Sequence, residues 1–321
     1  DSVTGGDGID TLTISMTGAT TAAYSAAAIT TSGVEKLYAS NFDTDTTQSF
    51  THTIDGSLMT GLTTVGLSAS GANGDTLFTN VKNLVDAEMG NGNADLDIVY
   101  QTTVVAGTAD TQKLALSNQS AGTFTANSIE TIAITSSVLK NTLAAVAGDA
   151  VTTLTMSGDK ALTITAAVPT TVTSIDASGM TAAVTLLSNA TTVSATLGSA
   201  DDTYQTSAAV AATYSVDGGD GTDTISVTAS TVLDSALETA RYTNFEALTI
   251  TNTANGDTTS SQNMAFLADI DTVTVDASDN NDDNADSTYT TVLSNARATT
   301  TVNINGLSTA ETGSNTTDTL V

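Results

Sequence analysis

Apolar side chains recur along this chain as h-x-x-h-x-h, where h is a large apolar residue or a tolerated Thr or Ala. Copies occur at Ile9/Leu12/Ile14, Leu62/Val65/Leu67, Thr111/Leu114/Leu116, Ile129/Ile132/Ile134, Val151/Leu154/Met156 and Ala190/Val193/Ala195. Further copies are Thr222/Ile225/Val227, Phe245/Leu248/Ile250, Ile270/Val273/Val275 and Thr299/Val302/Ile304, with shorter versions at Val34/Leu37, Val81/Leu84 and Val172/Ile175. The last two positions alternate, as a strand with one buried face requires. Successive copies start about 18–32 residues apart, the spacing of stacked repeats.

Between these strands lie stretches whose apolar spacing reads as short helices: Ala22–Ile29, Ser137–Ala147, Ser260–Ala268, and a segment capped by Thr231 with Asp234 as its capping-box partner. A strand, a crossover and a second strand in the same direction give parallel pairing. The expected fold is mostly β: a right-handed parallel β-solenoid with short helical crossovers. The alternative is two or three β-sandwich domains, which need antiparallel hairpins. The expected division is residues 1–200 and 201–321, with a soft boundary near Leu197–Asp223 and one continuous domain left open.

Two stretches break the pattern in the same way. Gly5-Gly6-Asp7-Gly8-Ile9-Asp10-Thr11-Leu12 and Gly218-Gly219-Asp220-Gly221-Thr222-Asp223-Thr224-Ile225 both read G-G-x-G-x-D-x-U, with U apolar. Glycines permit φ > 0 and expose carbonyls, and the Asp adds a hard oxygen. Degenerate copies centre on Asp75, on Asp95 and Asp97, on Asp201 and Asp202, and on Asp318. A second acidic cluster holds Asp279, Asp282 and Asp283.

These motifs resemble the nonapeptide repeats of RTX proteins, secreted bacterial calcium binders. Here they stand singly instead of in tandem, so isolated calcium turns are expected in place of a row of ions. The resemblance implies Ca2+ held by Gly5, Asp7, Asp10, Asp75, Asp95, Asp97, Asp201, Asp202, Gly218, Asp220, Asp223 and Asp318, while Asp279, Asp282 and Asp283 form a second candidate calcium site on the density of their carboxylates, the alternative being a solvated acidic loop. It implies a calcium-dependent surface-layer (S-layer) protein, exported by a type I system to the bacterial cell surface and self-associating into a lattice or filament. The other reading is a calcium-stabilised stalk of a secreted RTX adhesin or matrix filament. Contact with cell-surface polysaccharide would fall to regions outside this segment of a longer protein.

Composition narrows the field. Lys+Arg is 7 against Asp+Glu 35, a formal charge of −28, so a nucleic-acid partner is not expected. The chain has no cysteine, which removes disulfides and thiolate chemistry. No apolar run reaches the length of a membrane span. His52 is the only histidine and reads as a polar-face strand residue in Phe50-Thr51-His52-Thr53-Ile54. With aromatics at 4% and no hydrolase motif, no enzymatic activity is expected.

Overall fold

The computed structural model describes residues 2–18, 25–26, 29–43, 51–72, 74–188, 191–228, 230–231, 233, 235, 238–251, 258–276, 288–305 and 317–320. The chain divides into two compact units, Asp1–Ala182 and Ala183–Val321. Each is a β-solenoid. Every strand pairing among the described residues is parallel, and spatial order follows chain order within each sheet. That removes the sandwich alternative, whose hairpins require antiparallel ladders.

In the first unit one sheet runs through Thr11–Gly18, Lys36–Asp43, Thr64–Ser68, Asp86–Gly90, Thr111–Ser117, Thr131–Ser137, Thr153–Gly158 and Ser174–Met180. A second runs through Ser25–Ala26, His52–Asp55, Thr76–Val81, Leu96–Tyr100, Thr123–Ala126 and Ala145–Ala147. Their inward side chains form the core. Ile132 aligns with Leu154 and Leu154 with Ile175, all buried. In the second unit the longest sheet holds Val184–Ser188, Thr203–Thr206, Thr224–Thr228, Ala247–Thr251, Thr272–Asp276 and Thr301–Asn305. Tyr204, Ile225, Leu248 and Val273 stack inside it. Hydrogen-bonded neighbours on successive coils lie from 18 to 32 residues apart.

The predicted apolar period holds at Leu62/Val65/Leu67, Ile129/Ile132/Ile134, Val151/Leu154/Met156 and Phe245/Leu248/Ile250, whose side chains are all buried, and slips at other copies. Thr111 is exposed; the buried column there is Gln112, Leu114 and Leu116, and Leu114 aligns with Ile134. A glutamine can sit inside because its Nε2 donates to the Val85 carbonyl at 2.8 Å, and the Tyr100 hydroxyl donates to its Oε1 at 2.5 Å. Ile9 is 76% exposed, not inward. His52 is likewise corrected: it faces the core and is 0% exposed, because the alternation of His52–Asp55 places it on the same side as Ile54.

The helical crossovers are also overturned. Ser137–Ala147 contains two short strands, Asn141–Leu143 and Ala145–Ala147, bent at Ala144, whose N–H donates to the Gly122 carbonyl. Leu143 and Val146 are both buried because a corner separates them; a spacing of three does not require a helix. Ser260–Ala268 is the strand Thr258–Asn263 followed by the single 3-10 turn Met264–Phe266. Thr231 does not cap a helix: its hydroxyl donates to the Ser207 carbonyl at 2.8 Å, while Asp234 lies outside the described residues. One helical turn, Glu238–Arg241, survives there. Of Ala22–Ile29, the described part includes the strand Ser25–Ala26.

Candidate metal centre

The two complete motifs build the same corner. In each, the first glycine lies against its own aspartate and the next coil. A methyl group at Gly5 would sit 1.7 Å from the Gly33 carbonyl oxygen and 2.8 Å from Asp10 Oδ2; at Gly218 it would sit 1.9 Å from the Asn244 carbonyl oxygen and 2.8 Å from Asp223 Oδ2. The second and third glycines serve conformation: φ is 121° at Gly6, 111° at Gly8, 94° at Gly219 and 133° at Gly221.

A glutamate from the next coil closes each corner. The Asp10 N–H donates to Glu35 Oε2 at 2.9 Å, and the Asp223 N–H donates to Glu246 Oε2 at 2.9 Å. In return, the N–H groups of Glu35 and Lys36 donate to the Asp10 carbonyl, and those of Glu246 and Ala247 to the Asp223 carbonyl. Asp110 repeats the arrangement without a complete motif. Its N–H donates to Glu130 Oε2 at 2.8 Å, and a methyl at Gly107 would lie 3.1 Å from its Oδ2. The sequence reading missed Asp110 and all three glutamates. The available signal was the phrase apolar-Glu at Val34-Glu35, Ile129-Glu130 and Phe245-Glu246, about one coil after each aspartate.

At all three corners the Oδ2 atom of the aspartate is buried and accepts no hydrogen bond. The other oxygen of Asp223 is used. In the second unit the Asp202 N–H donates to Asp223 Oδ1 at 2.7 Å, the Val184 N–H to Asp202 Oδ1 at 2.6 Å and the Gly198 N–H to Asp202 Oδ2 at 2.7 Å. In the first unit the Asp95 N–H donates to Asp75 Oδ1 at 3.0 Å and the Thr123 N–H to Asp95 Oδ1 at 2.6 Å. Carboxylates therefore stack coil over coil, each capping a backbone donor of its neighbour.

Stacked buried carboxylates raise one another's proton affinity. Burial pushes the Asp223 carboxyl up to about 7; the Asp202 N–H pulls it down, and Asp202, Glu246 and Asp201 add to the rise. Asp202 and Asp95 are raised as well, burial being the largest cause for each.

The remaining expected ligands scatter. Asp7, Asp220 and Asp201 are exposed, Asp201 accepting from the Thr222 N–H at 2.8 Å, and Asp97 is half-buried on the strand Leu96–Tyr100. Asp318 lies on the strand Thr317–Leu320, its side chain outside the described residues, as are Asp279, Asp282 and Asp283. Among the described residues no three His, Cys, Asp or Glu side chains converge on one point. The donor set fits a hard cation in kind, being all oxygen with an unsatisfied carboxylate atom at its centre, but backbone carbonyls must supply most of the six to eight ligands calcium takes. No family model matches the chain, and no curated protein or solved structure matches it.

Proposed function

We propose that this chain is a structural, self-assembling component of a bacterial cell surface, of the S-layer lattice kind, whose solenoids are completed by calcium after type I export. The observation that carries the reading is Asp223: fully buried, one carboxylate oxygen without a partner, the other accepting from the Asp202 N–H, and its own N–H donating to the Glu246 carboxylate. Burying that charge is costly unless a cation or a proton neutralises it. Extracellular calcium supplies the cation, so ion binding adds to folding free energy. Asp10 would hold the equivalent ion in the first unit, with the turn carbonyls around each glycine run completing the shell. The acidic groups at Asp75/Asp95 and Asp201/Asp202 would add further oxygen donors for divalent ions.

The test is calcium titration of EGTA-treated protein, read by thermal unfolding and light scattering. A raised midpoint followed by growth of scattering particles is expected. No change in either on adding millimolar calcium would sink the proposal. The parallel coils of each unit would equally stiffen an adhesin stalk or matrix filament; electron microscopy of the calcium-loaded particles separates sheets from linear strands.

A further inference from the structure

The outer corner of the first unit carries a break in a repeating device. Ser68, Gly90, Ser117 and Ser137 end four strands in mutual register. The residue after each turns the chain at positive φ: Ala69 at 56°, Asn91 at 55°, Asn118 at 58° and Val138 at 67°. Asparagine suits that conformation, and here the Asn118 Nδ2 donates to Asn91 Oδ1 at 3.0 Å. Val138 cannot continue the ladder. A β-branched residue in the left-handed region is strained, and this one is 62% exposed, next to Leu139 at 54%. The turn is held firmly nonetheless. The buried Asn141 donates from Nδ2 to the carbonyls of Leu139 at 2.9 Å and Ser137 at 3.1 Å, and the Leu139 N–H donates to Ser137. An apolar pair is thus displayed, strained and preorganised, followed by the exposed Lys140.

The second unit carries a recess of matching character. An open groove of about 290 Å3 crosses the outer face of its longest sheet, lined by Leu187, Gln205, Ser207, Ser226, Thr228 and Thr251. Its lining is uncharged. Asp276 aligns with Thr251 on the following coil and places an acid at the groove's margin. Building on the self-assembly reading, we propose that Val138 and Leu139 of one copy seat in this groove of a second copy of this chain, with Lys140 meeting Asp276. Charge complementarity favours that occupant: the basic residue beside the apolar pair meets the acid beside the groove, in a chain otherwise of strongly negative charge. A knob and a groove on different parts of the surface make a heterologous contact, which propagates unless rotation closes it. Strain at Val138 is then tolerated because assembly, not folding, uses the side chain.

Val138→Asn tests this with a readout that a folding role would move the other way. It restores the residue type of the neighbouring corners, so the thermal midpoint should hold or rise by a few degrees while the concentration needed for calcium-induced assembly rises at least tenfold. As a second arm, Leu139→Cys and Gln205→Cys proteins are mixed and oxidised; the cysteine-free background makes a mixed cross-linked dimer diagnostic, and its formation in calcium is the expected result. Unchanged assembly by Val138→Asn, or no mixed cross-link in assembled material, overturns the inference and leaves the self-assembly reading standing. Failure of the wild-type chain to assemble with calcium overturns both.

Discussion

The corner at Gly5–Asp10 and the corner at Gly218–Asp223 share a string, a packing arrangement and a glutamate cap, yet they differ in what surrounds them. Asp223 is 0% exposed, with Asp202 donating to it from one neighbouring coil and Glu246 accepting from it on another. Asp10 is only half-buried, and Gly5 to Ile9 beside it are exposed. The motif therefore dictates the turn, while the adjacent coils decide whether its carboxylate carries an electrostatic burden. Asp110 makes the point from the other side, keeping the cap and the buried oxygen without the full string.

The largest way to break the pair is at the glycine that both corners need. Gly218→Ala and Gly5→Ala each drive a methyl into a carbonyl of the next coil, so each should cost about 3 kcal/mol in urea unfolding. A near-neutral result at either would show that the coils separate readily there. Next comes the carboxylate. Without calcium at pH 8, Asp223→Asn should stabilise the protein by about 2 kcal/mol, since it removes a buried charge and keeps the acceptor for the Asp202 N–H. The same change should abolish most of the calcium-induced gain, and Asp10→Asn should give a smaller effect of both kinds.

Proton linkage sharpens the same contrast. The Asp223 carboxyl titrates near 7 in the folded state against an ordinary value of 3.8, so between those values the folded chain holds more protons than the unfolded one. Stability without calcium should be greatest at low pH within that window and fall by about 2 kcal/mol as pH rises from about 4 through about 7, about half of the ~4 kcal/mol that a shift of this size would give without solvent screening, levelling above. Saturating calcium should flatten the slope, and Asp223→Asn should remove it. A rise in stability over that interval would contradict the assignment. Smallest of all, Glu246→Gln, Glu130→Gln and Glu35→Gln should each cost about 1 kcal/mol or less, because glutamine still accepts from the backbone but loses the charge assistance.

How much of this was legible beforehand follows from residue chemistry. The solenoid could be read because Ile, Val and Leu alternate in phase at Ile129–Ile134, Val151–Met156 and Phe245–Ile250, and those side chains are buried. It blurred where Thr, Ser, Ala and Gln took inward positions, as at Gln112, since small or well-bonded polar groups fit either face. Helices were misread between Ser137 and Ala147 because a corner separating two short strands mimics helical spacing. At the candidate site the turn glycines were visible, but the role of Glu35, Glu130 and Glu246 was not. Their partners lie 25, 20 and 23 residues away in sequence, and only stacking brings them together.

Those glutamates also point in one direction. In every case the later coil reaches back to finish the earlier one, never the reverse. A chain emerging amino end first would have an unfinished loop at each of these three corners, completed only as the following turn arrives. Growth of the ordered region would thus advance like a zip whose teeth are set from behind, and the tempo of emergence would meter how fast structure accumulates.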